Sequence, residues 1–472
     1  MNKLIFYALA LFSLSACTLA PEYSRPEAPV PAAWPSGPSY QEGTARAEKV
    51  VADIPWQEFF VDPQLQKLIA LALENNRDLR VAILNIERSR ALYQIQRADL
   101  FPQVDAIGEG SGRRVPADLG GNGSAETIHQ YRADLAISAY ELDVFGRVRS
   151  LNEQALQQYL ATEEARRGVQ IGLVSEVAAN YLTLAADREQ LALAKNTLDN
   201  YHESYQLSLG RFNAGVASAL DLNLAKTAVE AARVEIARYT TLVAQDENAL
   251  NLVVGSPVPV ELLPSALSPK LTALRDIDPG LPSEVLLTRP DILQAESLLK
   301  GYNANIGAAR AAFFPRIILV SSIGTGSDEL SGLFADGSLV WSFAPRVTLP
   351  IFDAGRNQAN LKVAEVDRDI AVARYEQAIQ TAFREVADAL ARRGTIDEQL
   401  SAQQSLTDAT TESYWLSQAR FDRGVDSYLA VLVSQRFLYG AQQSLISTRL
   451  TRLDNQVTLY KVLGGGWKEP VP

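Results

Sequence analysis

The chain has 472 residues, 47% of them hydrophobic, with 44 basic and 55 acidic side chains and a formal charge of −11. An acidic chain without a basic stripe is a poor partner for nucleic acid. The only histidines, His129 and His202, and the lone cysteine, Cys17, make no metal site, and no P-loop, dinucleotide fingerprint or G-x-S-x-G motif is present, which sets enzymes aside.

Residues 1–16 read as a signal peptide: Lys3, an apolar run from Leu4 to Leu14, then small residues. Leu14-Ser15-Ala16-Cys17 resembles a lipobox, so Cys17 is expected to carry covalent lipid, a diacylglycerol and an N-acyl group. Each buried CH₂ of such chains contributes about 0.8 kcal/mol of membrane affinity. Thr18 stands where an inner-membrane retention signal often has Asp, so by its resemblance to sorted lipoproteins the chain is expected in the outer membrane. Residues 17–61 are an extended linker, marked by Pro21, Pro26, Pro29, Pro31, Pro35 and Pro38. Beyond residue 16 no run reaches the roughly 18 unbroken apolar residues of a membrane helix, so further membrane contact must come from strands or lipid.

A first repeat is expected over residues 62–255. Asp62 is placed to cap a helix with Pro63 as its first residue. Leu65, Leu68, Ile69, Ala72, Leu79, Ile83, Ile86, Leu92 and Ile95 then recur at helical spacing until Pro102. The period changes to two, predicting strands at about 103–113 and 127–142 around a glycine-containing loop. In the second strand Tyr131, Ala133, Leu135, Ile137 and Ala139 alternate with Arg132, Asp134, Ala136 and Ser138. A helical tract from Arg147 to Arg211 would be on the order of 100 Å long. Asn213-Ala214-Gly215 breaks it, and Ser218 restarts it.

A linker over 256–282 leads to a second repeat over 283–465 and a tail over 466–472. Strands are expected at about 316–325 and 338–351, with Pro345 and Pro350 marking bulges or strand ends. Another long helix breaks at Asp422-Arg423-Gly424 and restarts at Ser427.

The two halves say the same thing. Glu203-Ser204-Tyr205-x-Leu207-Ser208-x-x-Arg211-Phe212-x-x-Gly215-Val216-x-Ser218-x-Leu220 recurs without a gap 209 residues on, from Glu412 to Leu429. The same shift carries Gly146-Arg147 onto Gly355-Arg356. Phe101-Pro102 recurs as Phe314-Pro315, shifted by 213. Duplication at this scale means a repeated structural unit. The fold class that follows is mixed but mainly α: a two-fold internal repeat giving a long helical barrel and four strands per chain. Four strands cannot close a barrel in lipid, so several copies are needed. Three would give twelve strands, within the size range of outer-membrane barrels, but the sequence alone does not fix three.

These motifs, with Tyr140-Glu141-Leu142-Asp143-Val144-Phe145-Gly146-Arg147, Arg289-Pro290-Asp291 and Leu349-Pro350-Ile351-Phe352-Asp353, resemble the TolC-like outer membrane factors, in their lipidated, OprM-like branch. The resemblance covers essentially the whole mature chain. It implies a homotrimer with a shared outer-membrane β-barrel and a periplasmic α-barrel. It also implies a periplasmic adaptor, an inner-membrane pump of the RND type, and passive export of small toxic compounds. Tyr140 stands where many relatives have Trp, a change an aromatic belt tolerates.

The resemblance also assigns roles. The turns at Gly215 and Gly424 become the periplasmic tip. Leu429 and Val433, four apart on one helix face, become a hydrophobic gate. Asp221 becomes a latch, with Arg420 and Arg423 as candidate partners, although Ser218-x-x-Asp221 also reads as a capping box. Asp426 is a candidate for polar lining of the tip. Arg132, Asp134, Ser342 and Arg346 are expected to face the barrel lumen, while Tyr131, Trp341 and Phe343 face lipid. A type I protein secretion duct, a heavy-metal duct and a structural envelope tether are the alternatives. The period-two segments argue against the last.

Overall fold

The structure, a computed structural model, describes residues 18–40, 51–119, 124–267 and 283–467. Cys17 and the signal segment lie outside them. The chain divides into two compact units, each drawn from three stretches: 1–27, 85–163 and 294–375, and 28–84, 164–293 and 376–472.

In chain order the elements are α1 (Pro63–Asn75), α2 (Arg77–Ala98), β1 (Asp105–Val115), β2 (Glu126–Leu142), α3 (Arg147–Asn213) and α4 (Ala219–Val254). The second half supplies α5 (Pro290–Ala311), β3 (Arg316–Ser327), β4 (Leu339–Phe343), β5 (Arg346–Thr348), α6 (Arg356–Asp422) and α7 (Tyr428–Val462). Both long helices, α3 and α6, are unbroken over 67 residues. Among the described residues α3 carries the one window apolar enough to cross a membrane, but 67% of that window is buried. Its apolar side chains, such as Val174, Val177 and Leu184, are core.

One expected helix is two. The run from Asp62 toward Pro102 breaks at Asn76, whose ψ of 132° is extended. The Asn76 amide donates to Val253 O at 2.7 Å, and its Oδ1 accepts from Leu79 N at 2.9 Å, so it ends α1 and caps α2. Asp62 caps α1 as expected, accepting from Gln64 N at 2.8 Å.

The first unit holds the antiparallel sheet, in the order β1-β2-β3-β4, with β5 continuing along β3. Proline explains the gap between β4 and β5. Phe343 pairs with Ser321 and Arg346 with Ile318, so the register is kept, while Pro345 supplies no N–H to the ladder. β2 carries a bulge between Ile137 and Tyr140. The bulge corrects the expected alternation. Up to Ile137 the odd positions of β2 share one face; beyond it Tyr140 and Leu142 take that face instead.

The second unit is helical. Phe59 stacks on Tyr460 with centroids 3.9 Å apart, Phe60 meets the same ring edge-on, and the Tyr460 hydroxyl donates to Ile54 O at 2.6 Å. Phe59 and Phe60 are fully buried, each contributing roughly 2–3 kcal/mol. Arg289, 9% exposed, donates to Val462 O, Asp291 and Glu385, joining α5, α6 and the end of α7.

Candidate functional site

Two places carry the expected functional side chains: the paired turns and the sheet. Each turn is made by a glycine in the left-handed region, Gly215 at φ 74° and Gly424 at φ 73°. The hydrogen bonds are the same in both. Val216 N donates to Arg211 O and Gly215 N to Phe212 O. Val425 N donates to Arg420 O and Gly424 N to Phe421 O. A side chain with a Cβ would strain that conformation, which is why glycine recurs there.

Behind the turns Tyr201, Ala225, Ala228, Ala232, Phe421, Tyr428, Val431 and Leu432 form one buried cluster. The alanines bring α4 close to its neighbours. Leu429 and Val433 are left out of it, 46% and 43% exposed. They line a groove of about 470 Å³ together with Leu224, Ala231, Glu235 and Arg436.

The polar residues of the turns pair locally within the chain. Asp221 and Ser218 form a reciprocal capping box: Asp221 N donates to Ser218 Oγ at 3.1 Å, and Ser218 N donates to Asp221 Oδ2 at 3.1 Å. The Ser218 hydroxyl also donates, at 2.8 Å, and these bonds hold the Asp221 carboxyl below the usual carboxylate range. Arg420 pairs with Asp426, Nε to Oδ2 at 2.5 Å and Nη2 to Oδ1 at 3.0 Å, which lowers the Asp426 carboxyl likewise. Arg423 is exposed and pairs with neither acid. The pairing of Arg420 with Asp426 was not foreseen from the sequence. The signal for it was the tight turn at Gly424, which brings residues six apart face to face.

In the sheet the register sorts the side chains onto two faces. Leu142 pairs with Ile317, which pairs with Val347. Leu135 pairs with Ile323, which pairs with Trp341. These rows form an apolar face on which Trp341 is 70% exposed. Tyr131 and Phe343 share it. On the other face Arg132 lies 3.3 Å from Asp134, and Ser342 Oγ lies 2.8 Å from Ser322 Oγ. Arg346 belongs to that face, through its pairing with Ile318. β1 is hard to read in sequence because its apolar face is mostly glycine. The rings of Tyr131 and His129 cover Gly110 and Gly112 there, an aromatic cover for a residue with no side chain of its own.

A sheet apolar on one face and polar on the other, carried in a duplicated chain with long helices, defines a membrane duct component. The chain belongs to the outer membrane efflux protein family, whose model matches residues 68–256 and 281–465. It is 51% identical over 468 residues to the toluene efflux pump outer membrane protein TtgC of Pseudomonas putida, covering 99% of this chain and 96% of that one. It is 46% identical to the outer membrane protein OprJ of Pseudomonas aeruginosa, covering 99% of this chain and 98% of that one. Among solved structures, a Pseudomonas aeruginosa membrane protein superposes with a TM-score of 0.88 at 46% identity, over 95% of this chain and all of that one. The open state of the Neisseria gonorrhoeae MtrE outer membrane channel superposes with a TM-score of 0.86 at 38% identity, over 96% and 99%. The chain is an outer-membrane efflux protein with the fold of those channels, not an enzyme.

Proposed function

We propose that three copies of this chain form a gated exit duct, lipid-anchored through Cys17, that carries small organic toxins out of the cell. The observation that supports the assembly most directly is the sheet: two faces of opposite polarity and two open edges, β1 and β4–β5, which lipid does not tolerate unpaired. The duct draws its energy from partners, a periplasmic adaptor and an inner-membrane pump of the RND type. The cargo follows the relatives, whose names specify toluene, solvents and antibiotics.

Leu429 and Val433 act as the hydrophobic gate, since they follow the turn, stay out of the buried cluster and share one helix face. Asp221 acts as the gate latch, Arg420, Arg423 and Asp426 supply further polar groups at the tip, and Arg132, Asp134, Ser342 and Arg346 line the barrel. The test is single-channel conductance in planar bilayers, with the wild type beside a Leu429→Ser/Val433→Ser variant. Brief, small currents in the wild type and large steady ones in the variant are expected. Equal currents from inserted trimers of both would remove the gate from these residues.

A further inference from the structure

The chain carries its own template for closing its sheet. β2 pairs with β3, and that seam joins repeat one to repeat two. By the duplication, β3 is the counterpart of β1, since Phe314-Pro315 precedes it as Phe101-Pro102 precedes β1. β4–β5 is the counterpart of β2, since Gly355-Arg356 follows it as Gly146-Arg147 follows β2. The β4–β5 edge of one copy should therefore meet β1 of another as β2 meets β3.

The register transfers too. Asp105 pairs with Ala136 in repeat one, and Ile318 with Arg346 in repeat two, so Arg346 is the counterpart of Ala136. Ser322 lies four residues beyond Ile318, as Glu109 lies four beyond Asp105. The seam pair of Ala136 with Ser322 thus maps onto Arg346 and Glu109, and that of Ile137 with Ser321 onto Val347 and Gly108. We infer that adjacent copies join edge to edge with Arg346 opposite Glu109 of the next copy, an ion pair on the polar face of the seam. This rests on the multi-copy assembly proposed above and adds its register.

Three features of the chain fit this register. Arg346 and Glu109 are both exposed, of opposite charge, and form no ion pair among the described residues. Every transferred pair keeps its face: Val347 falls over Gly108 and Phe343 over Gly112, on the side where β2 already covers β1's glycines with Tyr131 and His129. At the foot of the seam the pair of Leu142 with Ile317 maps onto Ile351 and Val104, 86% and 61% exposed in the single chain. A one-residue slip would turn Arg346 to the apolar face. A two-residue slip would set it against Ile107 or Ser111.

Paired cysteines test the register. Successive pairs in an antiparallel ladder alternate between wide and narrow, so one of two consecutive pairs has the narrow spacing suited to a disulfide. The full-length protein would carry Arg346→Cys with Glu109→Cys, or Val347→Cys with Gly108→Cys. Slipped controls combine Arg346→Cys with Ile107→Cys, and Val347→Cys with Ala106→Cys. Oxidised outer membranes on a denaturing gel should show covalent dimers and trimers for at least one seam pair and none for the controls. Cross-links in the controls and not in the seam pairs would overturn the register. An oligomer by native mass with no seam cross-link would overturn it while sparing the assembly. A native monomer would remove the assembly itself. Should cysteine pairs fail to insert, Arg346→Glu must lower the temperature at which the oligomer dissociates and Arg346→Lys must not; equal behaviour would overturn the pairing.

Discussion

Arg211 and Arg420 hold the same place in the two copies of the tip motif and grip different partners. Arg420 closes on Asp426 across its own turn. Arg211 has Ala217 at the matching position, and its guanidinium lies instead over the Phe421 ring, 4.9 Å from the centroid. One turn is thus held by an ion pair in solvent, the other by a cation over a ring buried between helices.

This asymmetry predicts selective loosening. Asp426→Asn should leave the melting temperature unchanged, because the pair is exposed, but speed trypsin cleavage after Arg423 in the second turn. Cleavage after Arg211 should not change. Limited digestion with mass analysis of the fragments reads both sites at once, and equal acceleration at the two turns would contradict local control.

The capping box and the latch at Asp221 separate by mutation. Ser218→Ala removes the cap alone, costing about 1 kcal/mol of helix stability. Asp221→Ala removes the cap and any contact the carboxylate makes beyond it. A latch predicts that closed-duct conductance rises with Asp221→Ala and stays at the wild-type level with Ser218→Ala. Matching conductance in the two variants would reduce Asp221 to a helix cap.

Arg289 is the most demanding position in the helical unit. Its replacement by Ala would leave Val462 O buried without its donor and separate Asp291 and Glu385 from their shared cation. Both carboxylates keep contact with solvent, so the main loss is the donor to that buried carbonyl, worth about 1–3 kcal/mol. Arg289→Ala should therefore lower the melting temperature in detergent by several degrees, and Arg289→Lys should recover only part of it, since Lys lacks the fork that reaches three acceptors at once.

The carboxyls of Asp187 on α3 and Asp246 on α4 interact electrostatically, and Asp246 Oδ2 is buried without a hydrogen-bond partner. Burial first, and the Asp187 charge second, push the Asp246 carboxyl up to about 6, against 3.8 ordinarily. The folded chain therefore holds a proton that the unfolded chain releases, so stability falls as pH rises through that window. The melting temperature should be higher at about pH 5 than at about pH 7.5, and Asp246→Asn should shrink the difference. An unchanged pH profile in that variant would clear the pair of any role.

Much of this was legible in the sequence because the governing signals are local. The turns were readable from Gly215 and Gly424, the cap from Asp62-Pro63, and the sheet's apolar face from Tyr131 to Ile137. What escaped depended on partners distant in sequence. Asn76 breaks the first helix because it can donate to Val253 O, and no propensity near residue 76 reveals that. The bulge in β2 shows only against β3, where Ile137 and Tyr140 meet residues two apart, Ser321 and Leu319. The linker after Cys17 read as extended but gave no partner, and Arg25 in it forms two hydrogen bonds to the buried Glu296, at 3.0 and 2.7 Å. An arginine in a proline-rich stretch gives no sign of an acid some 270 residues away.

The equal span of α3 and α6 limits how the chain can change over evolutionary time. Each added helical residue advances a turn by about 1.5 Å and rotates it by roughly 100°. Lengthening one helix alone would carry Tyr201 away from Phe421 and Tyr428, opening the cluster that both turns share. Drift in length is therefore tolerable only when both halves take it together, like two legs of a ladder cut to one measure.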